Sequence, residues 1–180
     1  DFHPLFRFAI ATGVRLTNCL TLTWGQVDWT DGVIRFRGKS RLPGGKQILI
    51  PLTGHLAAIL SAERGRHPER VFTFKPAEMG PHQLETARRP FTMDGWRRGF
   101  MAARREAGLP ELRFHDLRHV AANRALVASG GNLKTVQKML GHSDVRTTMR
   151  YLKSDISDVR AAMEKMGPAA VRHTPRSEIA

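Results

Sequence analysis

From residue 27 to residue 51 the hydrophobic pattern has a period of two, whereas beyond residue 53 it has the period of a helix. Val27-Asp28-Trp29 leads through Asp31-Gly32 into Val33-Ile34-Arg35-Phe36-Arg37, and Pro43-Gly44-Gly45 leads into Gln47-Ile48-Leu49-Ile50-Pro51. Alternation sends successive side chains to opposite faces of a strand, and Asp-Gly supplies the backbone freedom a tight hairpin needs. These spacings predict three short antiparallel strands. With helices before and after them, the fold class is α+β and mainly α-helical, a small three-stranded antiparallel sheet near the N-terminus packing on a helical domain.

Residues 4–12 read as an apolar helix stopped by Gly13, and a short helix carrying Leu16, Cys19, Leu20 and Leu22 follows. Thr53 caps a helix over 55–64, and Thr92 caps one over 93–107 that Gly108 ends, with Trp96, Phe100 and Ala103 on one stripe. Residues 75–90, with Pro76, Gly80, Pro81 and Pro90, read as a loop. Further helices are expected at 115–129, 133–140, 144–152 and 156–166. The organisation is one domain over 1–166 and a flexible tail over 167–180. A first residue Asp1 in place of methionine suggests a fragment of a longer chain.

Charge narrows the partners. Lys and Arg number 29 against 16 Asp and Glu, a formal charge of +13 over 180 residues, and a basic globular domain of this kind meets a polyanion. The hydrophobic share of 41% suffices for a core. Apolar runs such as 56–60 fall far short of the ~20 residues of a membrane-spanning helix, so no membrane role is expected. A single cysteine, Cys19, leaves no internal disulfide and no CxxC zinc pair, and a reducing intracellular setting is the default. Only one tyrosine is present, Tyr151.

Three groups of residues carry chemistry. Arg88, Arg89, Arg97, Arg98, Arg104 and Arg105 crowd one stretch against Asp94 and, at its edge, Glu106; each alone suits a solvated helix face, but clustered cations also gain from counterion release on nucleic acid. In His115-Asp116-Leu117-Arg118-His119, positions three apart share a helix face, so His115 and Arg118 can address one phosphate, or else form a helix cap and a surface arginine. His115 and His119 have the spacing of a helical zinc pair, but no glutamate of an HExxH motif lies between them and no third ligand is evident, so metal is a minor reading. Gly141 ends a helix, which leaves His142 at a junction, and Tyr151 follows nine residues later. Tyr151 could be core packing. It could also be a nucleophile, because a cation-lined site lowers the phenol pKa from its usual ~10.

Taken in order, Thr12-Gly13-Val14-Arg15, Lys39 in the turn after the second strand, His115-Asp116-Leu117-Arg118-His119, Leu140-Gly141-His142 and Tyr151 resemble the tyrosine recombinase (phage integrase) family, over residues 4–166. That resemblance implies that Arg15, Arg118 and His142 hold the scissile phosphate, that Tyr151 attacks it to form a 3′-phosphotyrosyl link, that His115 assists proton removal or orients the phosphate, and that Lys39 protonates the leaving oxygen. It implies no cofactor and no metal. The family's usual glutamate three residues after its first arginine is replaced by Asn18, and Lys46 in the same hairpin competes with Lys39 for the lysine role. By the same resemblance the chain is a catalytic domain without the N-terminal domain that closes the family's clamp on DNA. Its partners would be double-stranded DNA with inverted half-sites and further copies of itself, a tetramer on DNA and a monomer when free, in a bacterial or phage-encoded protein of the cytoplasm associated with the nucleoid. Three other readings compete: a degenerate DNA-binding module of the same fold, a type IB topoisomerase, and a metal-dependent nuclease.

Overall fold

A computed structural model describes residues 3–38, 46–75, 88–149 and 164. Helix α1 (His3–Thr12) opens the chain and buries Leu5, Phe8, Ala9 and Thr12, a stripe at helical spacing that packs against α3 (Gly54–Ser61) and α5 (Phe114–Ala128). Gly13 ends α1 with a φ of 64°, and α2 (Leu16–Leu20) starts after Arg15. A 3₁₀ turn (Trp24–Gln26) then feeds the sheet of β1 (Val27–Asp28), β2 (Val33–Gly38) and β3 (Lys46–Pro51), antiparallel throughout and in the order β1-β2-β3. Ile34, Phe36, Ile48 and Ile50 face inward, which is the alternation read from the sequence.

Beyond the sheet, helices dominate. Thr53 accepts the Leu56 N–H at 3.4 Å to start α3, and Thr92 accepts the Gly95 N–H at 3.0 Å to start α4 (Met93–Glu106); such caps contribute about 1 kcal/mol each. Then come α5, α6 (Leu133–Leu140) and α7 (Arg146–Met149). The aromatic core has two centres. Phe8 lies 5.2 Å from Phe72 and 6.4 Å from Phe36 between ring centroids, while Trp96 stacks on Phe100 at 5.3 Å and meets Phe114 edge-on at 5.3 Å. That second centre fixes α4 to the body through one face of the helix.

Several boundaries differ from the sequence reading, each for a local reason. Leu22 lies past the end of α2 and is fully buried, so burial rather than helical register set its place in the pattern. Helix α3 stops at Ser61, three residues short, where successive turn bonds take over from Ala62 to Arg66. Helix α5 begins at Phe114 because the Asp116 carboxylate accepts the Arg113 N–H at 2.8 Å. Helix α7 begins at Arg146, since Asp144 accepts its N–H at 2.8 Å and acts as the cap. Within the stretch expected to be a loop, Arg89–Pro90 forms β5 and pairs with β4 (Thr73–Phe74). The rest of that loop, the helix proposed at 156–166 apart from the helical Glu164, and the tail at 167–180 lie outside the described residues.

Candidate active site and nucleic-acid face

Arg118 sits in the first half of α5 with only 4% of its surface exposed. Its Nη1 donates to the carbonyl of Gly13 and its Nη2 to the carbonyl of Leu140 at 2.7 Å. Those carbonyls stand two residues before Arg15 and two residues before His142. One buried fork therefore ties the start of α2 to the end of α6, and with it two of the expected phosphate ligands.

Glycine makes that approach possible. A Cβ on Gly13 would lie 2.7 Å from Leu140 Cδ2 and 3.0 Å from the Ala121 Cβ. A Cβ on Gly141, whose φ is 66°, would lie 2.2 Å from Ile48 Cδ1. A side chain at Gly13 would press on Leu140 and Ala121 and one at Gly141 on Ile48 of β3, and both backbones take the left-handed turn that L residues disfavour.

His142 follows Gly141 and is 7% exposed. Its Nδ1 lies 2.8 Å from Oγ1 of Thr148, a fully buried residue of α7, and its backbone N–H closes on Gln137 at 3.1 Å. The ring is thus oriented by α7, and Tyr151 follows Thr148 by three residues in the sequence. Tyr151 itself and Lys39 lie outside the described residues, and Lys46 is described only as the first residue of β3.

Arg15 is half-buried at the N-cap of α2, and its side chain makes no hydrogen bond or ion pair among the described residues. His115, by contrast, is exposed at the first turn of α5, its ring 4.9 Å from that of His119 in an edge-on contact. Partial loss of hydration beside the protein holds the His115 imidazole below the ordinary histidine value, the His119 and Arg118 charges add to that, and Asp116 opposes it. A ring kept neutral can accept a proton. Among the described residues no three His, Cys, Asp or Glu side chains converge as metal ligands do.

The six clustered arginines divide. Arg89, Arg97, Arg98 and Arg105 are exposed, the last three on α4. Arg88 donates from Nε to Thr73 Oγ1 at 3.0 Å and from Nη2 to the Thr73 carbonyl at 2.8 Å, next to the buried carboxylate of Glu63. Arg104 donates to the Leu112 carbonyl at 2.9 Å and lies over the Phe100 ring at 5.9 Å. Sequence reasoning had no signal for this division, because the acceptors come from elsewhere in the chain. It also missed Thr148, a threonine in a short helix with nothing in its spacing to link it to His142.

No helix among the described residues is long and apolar enough to cross a membrane. The model of the phage integrase family matches residues 3–157. The chain is 32% identical over 165 residues to tyrosine recombinase XerC of Bifidobacterium longum (strain DJO10A), covering 89% of this chain and 45% of that protein. It is 30% identical over 148 residues to the integrase of Salmonella phage P22, covering 80% of this chain and 37% of that one. The chain thus spans less than half the length of these relatives. Among solved structures, the catalytic domain of bacteriophage HP1 integrase superposes with a TM-score of 0.58 at 26% identity, over 91% of this chain and 81% of that one. XerH site-specific recombinase bound to its difH substrate superposes with a TM-score of 0.64 at 21% identity, over 92% of this chain and 46% of that one, which adds to the likeness of fold. With a family match from residue 3 to residue 157, the chain belongs to the phage integrase family.

Proposed function

We propose that residues 1–166 form the catalytic domain of a site-specific DNA recombinase that cuts and rejoins DNA through a covalent tyrosine intermediate. The observation that carries this reading is the Arg118 fork, which joins the Gly13 and Leu140 carbonyls and so brings Arg15 and His142 to one locality. Cations and donors fixed before the reaction stabilise charge as it builds on phosphorus, without the reorganisation that water would need.

In the proposed step the Tyr151 oxygen attacks phosphorus as the bond to the 5′ oxygen breaks. The tyrosine proton goes to His115 or to water beside it, Lys39 gives a proton to the departing 5′ oxygen, and Arg15, Arg118 and His142 neutralise the non-bridging oxygens. A 5′-hydroxyl from another strand then attacks the phosphotyrosine and releases Tyr151, so the number of phosphodiester bonds is conserved and no nucleotide is consumed. Thr148 holds His142 in orientation through Nδ1.

The exposed arginines of α4, with Arg89, would neutralise phosphates of the flanking duplex. Arg88 and Arg104 would act mainly by holding β5 and α4 in place. As partners we propose duplex DNA with inverted half-sites and a tetramer of this protein formed on it from free monomers, the segment 156–180 docking on a neighbouring copy. Such a protein would work in the cytoplasm, on the nucleoid.

A nicked suicide duplex bearing the recombination site tests this directly. Incubation is expected to give a covalent protein–DNA band that persists in EDTA and is lost in Tyr151→Phe. Salt-sensitive binding without any adduct would instead identify a DNA-binding module.

A further inference from the structure

The outer face of the three-stranded sheet meets α2 at a cavity of about 710 Å3 lined by, among others, Asn18, Thr21, Gln26, Arg35, Arg37 and Gln47. Its polar side chains fall into two sets. Thr21 donates to the Thr17 carbonyl at 2.7 Å, Gln26 accepts from the Thr23 N–H at 3.0 Å and donates to the Arg35 carbonyl at 2.9 Å, and Arg35 bridges Asp28 and Asp31 at 2.9 and 2.6 Å. These groups are satisfied by the fold. Asn18, Arg37 and Gln47 make no side-chain hydrogen bond or ion pair among the described residues.

The unsatisfied set has a definite chemistry. Arg37 and Gln47 are direct partners in the β2–β3 register, both exposed, and Asn18 stands one helical turn after Arg15. One guanidinium without an acidic partner among the described residues and two neutral amides can all donate, while the two nearby carboxylates, Asp28 and Asp31, are both engaged by Arg35, which offsets one of their two charges. A singly charged group with two acceptor oxygens matches that donor set: a phosphodiester.

We propose that this cavity is a subsite for a backbone phosphate of the DNA next to the one being cleaved, gripped by Arg37 and hydrogen-bonded by Asn18 and Gln47. The inference rests on the recombinase reading above. It also gives Asn18 a role of its own: where a glutamate would repel a phosphate, an amide can donate to it.

Binding of the 180-residue chain to duplex DNA of mixed sequence, followed by fluorescence anisotropy across a salt series, tests the subsite. Arg37→Ala is expected to weaken binding roughly tenfold and to reduce the slope of log K against log salt by about 0.9, equally for every sequence. Asn18→Asp should weaken binding in the same direction, and both variants should keep the thermal midpoint of the parent. Unchanged affinity in Arg37→Ala overturns the subsite, as does a loss confined to particular sequences, which would mark a base reader. An Asn18→Glu variant that forms more adduct on the suicide duplex at unaltered affinity would also overturn it, because Asn18 would then be a defective buttress of Arg15. If the parent chain binds no DNA at all, the recombinase reading falls before any variant is compared.

Discussion

Arg118 and the arginines of α4 are the same residue type in the same basic chain, yet the fold treats them oppositely. Arg118 is sunk in the protein with donors fixed on two main-chain carbonyls, whereas Arg97, Arg98 and Arg105 stand in solvent on a helix whose other face carries Trp96 and Phe100. A buried guanidinium leaves costly unsatisfied acceptors if it is removed; an exposed one leaves water. A count of 29 Lys and Arg residues also overstates the cations that stand free of partners. Arg35, Arg70, Arg88 and Arg104 all have partners within the protein.

The contrast can be broken from its buried side first. Arg118→Met should lower stability by about 3 kcal/mol, since the Gly13 and Leu140 carbonyls lose their donor, and move the thermal midpoint down by roughly 6–12 °C. Arg118→Lys keeps the charge but cannot reach both carbonyls as a rigid fork, so calorimetry should place it nearer to Met than to the parent. A midpoint unchanged in either variant would remove the structural half of the comparison.

Gly141→Ala tests the same junction sterically. Its methyl would meet Ile48 Cδ1 in a backbone of positive φ, and a loss of about 2 kcal/mol is expected. Adding Ile48→Val, which removes the Cδ1, should recover part of that loss in a double-mutant cycle. Thr148→Val comes next: losing the partner of a buried imidazole should cost about 1 kcal/mol in urea unfolding and slow adduct formation further than that loss explains.

On the exposed side, Arg97→Ala, Arg98→Ala and Arg105→Ala should each leave stability within ~0.5 kcal/mol while weakening DNA binding. A large fall in midpoint from any one of them would place it with Arg118. The smallest effect concerns His115. Because partial loss of hydration and the His119 and Arg118 charges favour its neutral ring, NMR titration of the free chain should give a midpoint below ~6.5, and His119→Ala should raise it. A midpoint above ~6.5 would show the Asp116 carboxylate outweighing the cations.

How much of this was legible in the sequence depended on how local the cause was. The three strands follow from alternation, and the starts of α3 and α4 follow from Thr53 and Thr92, all within a few residues of the structure they dictate. The order of Arg15, His115, Arg118 and His142 was legible through family likeness. The Arg118 fork was not, since its carbonyls lie 105 and 22 residues away in sequence. Strand β5 was hidden for a related reason: two residues, one of them proline, carry no periodicity, and only the pairing with Thr73–Phe74 makes them a strand. Arg88 and Arg104 were read as ligand-facing because nothing beside them in the chain reveals Thr73 or Leu112 as acceptors.

The aromatic anchoring of α4 bears on how such a protein changes over time. Trp96, packed between Phe100 and Phe114, secures the helix from beneath, so its upper surface can drift without threatening the fold. Substitutions could accumulate there one at a time, while the Arg118 junction, crowded by Gly13 and Gly141, tolerates almost none.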